Sequence, residues 1–297
     1  MIDFPIVDAH HHLQDLSHSY PWLHGPARPF KYHGDDRPIR RDYLTADYLA
    51  DVAPLELAGS IHIENGAGDP VWESDWIQEL NSATGIPSAH VARVDLLSAD
   101  APAALERAAS RPVVRGIRYI LNWHENPRFA HVDRADIMTD PVWLSNFARL
   151  ASLGLSFDLQ VFPSQLLDAA SLAAAHPDTS IVLDHAGMPI RRDSEGFDQW
   201  RAGMVALAAN PNVSVKVSAL GTNDHHWTRE SIRPFVWETI EIFGTDRTMF
   251  GSNFPVDSLY STLHELYAAF DELTMSLSRP ERVQLFASTA ARFYRIE

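Results

Sequence analysis

The sequence predicts an α/β fold in which residues 1–297 form a single (β/α)8 TIM barrel. Eight short β-rich runs recur along the chain, and segments with helical spacing separate them. No Ser/Gly/Pro-rich linker or low-complexity tract divides the sequence into parts. An open doubly wound sheet usually has fewer strands and a glycine-rich first turn, and no such turn follows the first run.

The runs cover 5–12, 58–65, 88–96 and 113–121, then 155–162, 180–187, 213–220 and 247–255. Several are nearly continuous in apolar residues, as expected of parallel strands covered on both faces. Helix starts are equally readable between them. Asp69-Pro70 and Asp140-Pro141 each place a carboxylate at a cap position and proline at the first helical position, with Gly85 and Gly154 marking the ends. Ser278 and Glu281 have the spacing of a capping box.

Composition removes whole classes of function. Lys plus Arg number 24 against 39 for Asp plus Glu, a formal charge of −15 that disfavours nucleic acid and anionic membrane surfaces. Cysteine is absent, which excludes thiolate catalysis, disulfides and thiolate-held metal. Any metal must therefore be held by histidine, carboxylate, amide or water. Residues 1–20 lack a basic region followed by an apolar one, and no stretch approaches a membrane span, so the cytoplasm is the expected location. No P-loop or GxGxxG occurs to support nucleotide chemistry.

In such barrels the active site lies at the C-terminal strand ends. In "PIVDAHHHLQDL", His10 and His12 fall on one side of an extended chain and His11 on the other. His62 and Glu64 end the second run, and Arg118 lies in the fourth with His124 just beyond it. Gln160 ends the fifth, His185 the sixth and Asn253 the eighth, while Lys216 sits in the seventh. Strict alternation puts Asp184 on the face opposite His185. Lys216 and Arg118 are expected to attract an anionic ligand if they reach the mouth, Lys216 having a structural ion pair as its other reading. The long first loop, with His18, Trp22, His24 and His33, reads either as a lid over the mouth or as a packed surface loop.

"VDAHHHLQDL", "VLDHAGMP", "VSVKVSAL", "MFGSNFPVD" and the closing "STAARFYRI" resemble the amidohydrolase superfamily, in particular its branch of 2-pyrone-4,6-dicarboxylate lactonase and sugar-acid lactonases. The resemblance spans nearly the whole chain. It implies hydrolysis of an ester or lactone, with one divalent metal in some members and none in others. It matches His10, His12 and His185 to the family's metal-binding histidines. Three departures stand out: the strand-four bridging Lys or Glu has no counterpart, Gln160 replaces the strand-five histidine, and Asn253 replaces the strand-eight aspartate. Without bridging ligands a two-metal centre lacks support.

The expected activity is therefore opening of a small carboxylated or sugar-derived lactone. His10, His12 and His185 either hold one divalent ion, zinc before others, or act without metal. An amide cannot take a proton at neutral pH, so Asn253 orients. Asp257, four residues on, is a candidate proton acceptor alongside His185 and His12. His62, Arg118, His124, Gln160 and Lys216 are candidate substrate contacts. Two other readings compete: metal-dependent decarboxylation of a small aromatic or unsaturated acid, and a barrel that binds a ligand without turnover. Association into homo-oligomers is a further expectation.

Overall fold

A computed structural model describes residues 2–26 and 31–296. Eight parallel strands follow one another in sequence order: β1 (Ile6–His11), β2 (Leu57–Ile63), β3 (Ala89–Arg93), β4 (Val114–Ile120), β5 (Ser156–Gln160), β6 (Ile181–Leu183), β7 (Val213–Val217) and β8 (Thr248–Phe250). The sheet then returns to its start. His12 N–H donates to the Phe254 carbonyl and Asn253 N–H to the His10 carbonyl, each at 2.7 Å. The predicted barrel is what the chain forms.

The outer helices are α1 (Thr45–Val52), α2 (Pro70–Thr84), α3 (Ala101–Ala109), α4 (Pro141–Phe147), α5 (Leu166–Ala175), α6 (Ser194–Ala208), α7 (Arg229–Phe243) and α8 (Leu263–Leu273). Asp69 and Asp140 cap as expected: each accepts from the backbone N–H groups two and three residues on. Gly85 and Gly154 adopt the left-handed conformation that stops a helix. However, α4 ends at Phe147, and a separate 3-10 turn at Ala151–Leu153 leads to Gly154. No helix among the described residues is long and apolar enough to cross a membrane.

Two apolar regions hold the layers together. Trp143, Phe147 and Phe157 belong to the shell between sheet and helices. Inside the barrel, Val7, Ala9, Ile61, Ile63, Ala89 and Val91 pack against Ala290 and Tyr294 of the last helix, α10 (Thr289–Tyr294, following α9, Arg279–Val283). That helix packs against the end of the barrel interior away from the C-terminal strand ends.

Closure depends on close approach. A Cβ on Gly251 would lie 2.7 Å from the His10 Cβ and 2.9 Å from its backbone N, so only glycine lets β8 reach β1 here. A register irregularity between Asp8 and His11 reverses the facing of the strand end. It leaves Asp8 toward the helices and turns His10 inward.

Asp8 is buried on that outer side and accepts from Ser252 N–H at 2.7 Å, Ser252 Oγ–H at 2.6 Å and Tyr48 O–H at 3.1 Å. Removing the carboxylate takes an acceptor from these donors and from His10 N–H, 3.3 Å from Asp8 Oδ1, at a buried seam. The Asp8→Ala protein should lose about 2–4 kcal/mol of stability, read from the urea midpoint. An unchanged midpoint would show that the seam does not need this carboxylate.

Candidate active site

At the strand termini lies a cavity of about 740 Å³ whose walls include His12, Glu64, Arg118, Gln160, His185 and Asn253. Its size suits a small ligand. The first loop crosses the mouth. Trp22 Nε1–H donates to the Asn65 carbonyl at 2.7 Å, Tyr260 O–H to the His33 carbonyl at 2.5 Å, and His225 Nε2–H to the Tyr32 carbonyl at 2.8 Å. Lys31 donates to the carbonyls of Pro127 and Ala130, both at 2.9 Å. The loop is thus tied to the loops after β2, β4, β7 and β8, and Tyr32 and His33 face the cavity. Positions 27–30 of the expected lid lie outside the described residues.

The floor is built by a turn that the sequence does not advertise. Strand β6 stops at Leu183, and His185, Ala186 and Met188 take left-handed backbone conformations at φ 58°, 50° and 49°. Strict alternation therefore fails at this point. Asp184 does not face away: it joins His10 and His185 in a group whose ligand atoms all lie within 4.8 Å of one another. The "DHAG" run of small residues after the aspartate-histidine pair was the available signal.

His10 Nδ1 lies 3.4 Å from Asp184 Oδ1, and its ring centroid is 4.5 Å from that of His185. His185 Nδ1 pairs with Ser218 Oγ at 2.8 Å. Burial, reinforced by Lys216, holds the His10 imidazole well below its ordinary pKa. Burial pushes His185 down to about 3. Both rings are neutral at physiological pH and so have lone pairs to offer. Burial alone would push Asp184 up, but the Lys216 ammonium and His10 outweigh it and keep the carboxylate ionised.

The donor set fits a single divalent ion. Among the described residues His10 Nε2 and Asp184 Oδ2 are buried without a hydrogen bond. Two imidazoles and a carboxylate make a three-residue set with room for a further ligand. Of the expected trio of His10, His12 and His185, His12 lies outside this group, its ring centroid 5.1 Å from that of His10. Its Nδ1 lies 2.8 Å from the Ile63 carbonyl. A carbonyl only accepts, so Nδ1 carries the hydrogen and Nε2 keeps the lone pair on a ring that lines the cavity.

Other expected contacts divide. Arg118 reaches the cavity but is committed: its Nε donates to Glu64 Oε1 at 2.8 Å, and its Nη1 to Gln160 Oε1 at 3.2 Å. Gln160 donates in turn to Asn122 Oδ1 at 3.0 Å. His62 does not face the cavity. It is fully buried on the helix side, 3.1 Å from His90 Nδ1, because it shares the outward face with His11. His124 lies off the cavity as well, its Nδ1 accepting from Asn126 N–H at 2.9 Å and its ring against Phe129. Lys216 is wholly buried and outside the cavity lining, ion-paired with Asp158 and Asp184.

Asn253, at φ 57°, lines the cavity and donates from Nδ2 to Asp257 Oδ1 at 3.3 Å. The ionised carboxylate can only accept, which turns the amide nitrogen toward Asp257 and leaves Oδ1 for the cavity. Asp257 itself is 2 % exposed and stands one side chain behind the wall. Burial pushes its pKa up to about 7, against the opposing hydrogen bonds from Asn253 and Ala219 N–H.

A family profile described as Amidohydrolase matches residues 7–296. The chain belongs to the amidohydrolase family. This amidohydrolase is 38% identical over 299 residues, the full length of both chains, to the uncharacterized protein y4mH of Sinorhizobium fredii. It is 31% identical over 303 residues to an L-fucono-1,5-lactonase of Burkholderia multivorans, covering 97% of this chain and 95% of that one. A crystal structure of a Burkholderia multivorans amidohydrolase with bound zinc superposes with a TM-score of 0.83 at 27% identity, over 99% of this chain and 100% of that one. The expected superfamily and hydrolase class are shown by these relatives.

The titration of Asp257 has a sign that can be measured. Its folded pKa of about 7 lies above the ordinary 3.8, so between those values the native state keeps a proton the unfolded chain has released. Stability therefore falls as pH rises from about 4 to 7, and the full penalty persists above 7. Relative to Asp257→Asn, the wild-type protein should lose on the order of 2–4 kcal/mol across that window, read from urea melts at several pH values. Parallel curves for the two proteins would contradict the assignment.

Proposed function

We propose that this amidohydrolase opens a small, neutral, sugar-derived lactone by adding water across its ester bond. The observation that carries the reading is the convergence of His10, Asp184 and His185 at the floor of a cavity with balanced walls. Lys31, Arg93 and Arg118 line it against Asp36, Glu64 and Asp95, three cations facing three carboxylates. The expected pull on an anionic ligand rested on Arg118 and Lys216. Arg118 is neutralised by Glu64, and Lys216 lies beneath the floor. Trp22, Tyr32 and Tyr119 add aromatic faces suited to the C–H faces of a sugar ring, and Glu64, Asn65 and Gln160 offer acceptors to its hydroxyls. Similarity to L-fucono-1,5-lactonases supports the same class.

His10, Asp184 and His185 would hold the ion, and zinc suits two imidazoles and one carboxylate. Bound there, zinc supplies Lewis acidity toward the ester carbonyl. The rest of the chemistry belongs to side chains. Water oxygen bonds to the carbonyl carbon, and His12 Nε2 takes a proton from that water. The ring C–O bond breaks, and the proton passes to the departing oxygen, giving the open hydroxy acid. Asn253 Oδ1 orients the water, with Asp257 fixing the amide from behind. The Arg118–Glu64 pair sets the ring in place, and the strapped first loop limits entry of bulk water.

A pH-indicator assay over a lactone panel tests the reading. Neutral aldonolactones should release one proton per turnover, while carboxylated lactones should react far more slowly. Turnover should fall with chelation and return with Zn²⁺. The His185→Asn protein should lose at least about 100-fold in kcat with unchanged circular dichroism. Carbon dioxide release from an aromatic acid, or saturable binding without product across the panel, would replace the proposal.

A further inference from the structure

Lys216 is a buried cation that the hydrolysis steps do not use. It points from β7 into the barrel beneath the cavity floor and has no solvent exposure. Its ammonium donates to Asp158 Oδ2, lies 3.1 Å from Asp184 Oδ1 and stands 3.3 Å from His10 Nδ1. The Tyr294 ring of the C-terminal helix is 5.3 Å away, and Tyr294 O–H donates to Asp158 Oδ2 at 2.8 Å. Thus β1, β5, the turn after β6 and the last helix all meet on one ammonium.

Two consequences follow from elementary electrostatics. Without this cation, two adjacent buried aspartates would lose their shared counter-charge, which is among the most destabilising arrangements a core can hold. With it, a positive charge sits beside the carboxylate that a metal ion would use, and two cations at that separation repel strongly in a low-dielectric interior. The group therefore stabilises the metal-free floor and opposes the metal.

We propose that Lys216 is a built-in counter-ion that keeps the floor of the site formed without metal and competes with a metal ion for Asp184. It is a positioning residue, since it reaches neither the cavity nor a substrate. The second half of the proposal rests on the metal reading of His10, Asp184 and His185. The first half does not.

The experiment uses full-length protein, thermal melts in chelator and calorimetric titration with Zn²⁺ alone. The Lys216→Met protein in chelator should melt roughly 10 °C below wild type. Its Zn²⁺ affinity should be at least about tenfold tighter, and Zn²⁺ should raise its melting temperature more than it raises that of wild type. The Lys216→Met/Asp158→Asn protein, which loses one charge of each sign, guards against a failure to fold. It should recover most of the lost melting temperature and keep the tighter Zn²⁺ binding. An unchanged melt for Lys216→Met in chelator overturns the counter-ion. Weaker Zn²⁺ binding by either variant overturns the competition. Absence of Zn²⁺ binding by wild type and both variants removes the metal reading, while the chelator melts still decide the counter-ion.

Discussion

The return of the eighth strand to the first is the constraint on which the site depends. Hydrogen bonds from His12 to Phe254 and from Asn253 to His10 close the cylinder, and Gly251 permits the approach. Closure brings residue 10 against residues 184 and 185, which lie far away along the chain. An open sheet would leave His10 at an edge with no partner for its ring. The seam carries its own polar support in Asp8 and Ser252, so the same few residues hold the barrel and set the floor.

Above that seam the strand ends depart from regular geometry in a consistent way. His185, Ala186 and Met188 after β6, Ala219 after β7 and Asn253 after β8 all have left-handed backbone conformations. Non-glycine residues occupy that region at a cost, and surrounding contacts must hold them there. Such contacts are visible: Trp200 Nε1–H donates to the Ala186 carbonyl at 2.7 Å, and Asp257 accepts from Ala219 N–H. These turns swing Asp184, His185 and Asn253 inward together. These five left-handed residues lie where the chemistry is proposed.

Charge is arranged with similar economy. The chain carries an excess of acid, yet the cavity walls hold equal numbers of cationic and anionic side chains. Arg118 is tied to Glu64 and Lys216 to two aspartates, so neither presents an unspent charge to a ligand. Counting basic residues near strand ends therefore overstates the free positive charge of the site. What matters is whether each cation already has a partner within reach.

The sequence by itself determined the barrel, its strand order and the shared side of His10 and His12. Those follow from local rules: apolar runs of strand length, cap residues at helix starts, and two-residue alternation from residue 10 to residue 12. It also placed Gln160 at the end of the fifth strand. Only the tertiary structure decided that Asp184 joins the histidines, that His62 turns to the helices, and that Lys216 lies below the floor. Alternation holds only while a strand stays regular, and β6 ends one residue before Asp184. The depth of a lysine or the partner of an arginine depends on side chains from other strands and turns, far along the chain. Sequence spacing does not encode those distances; the rolled sheet does.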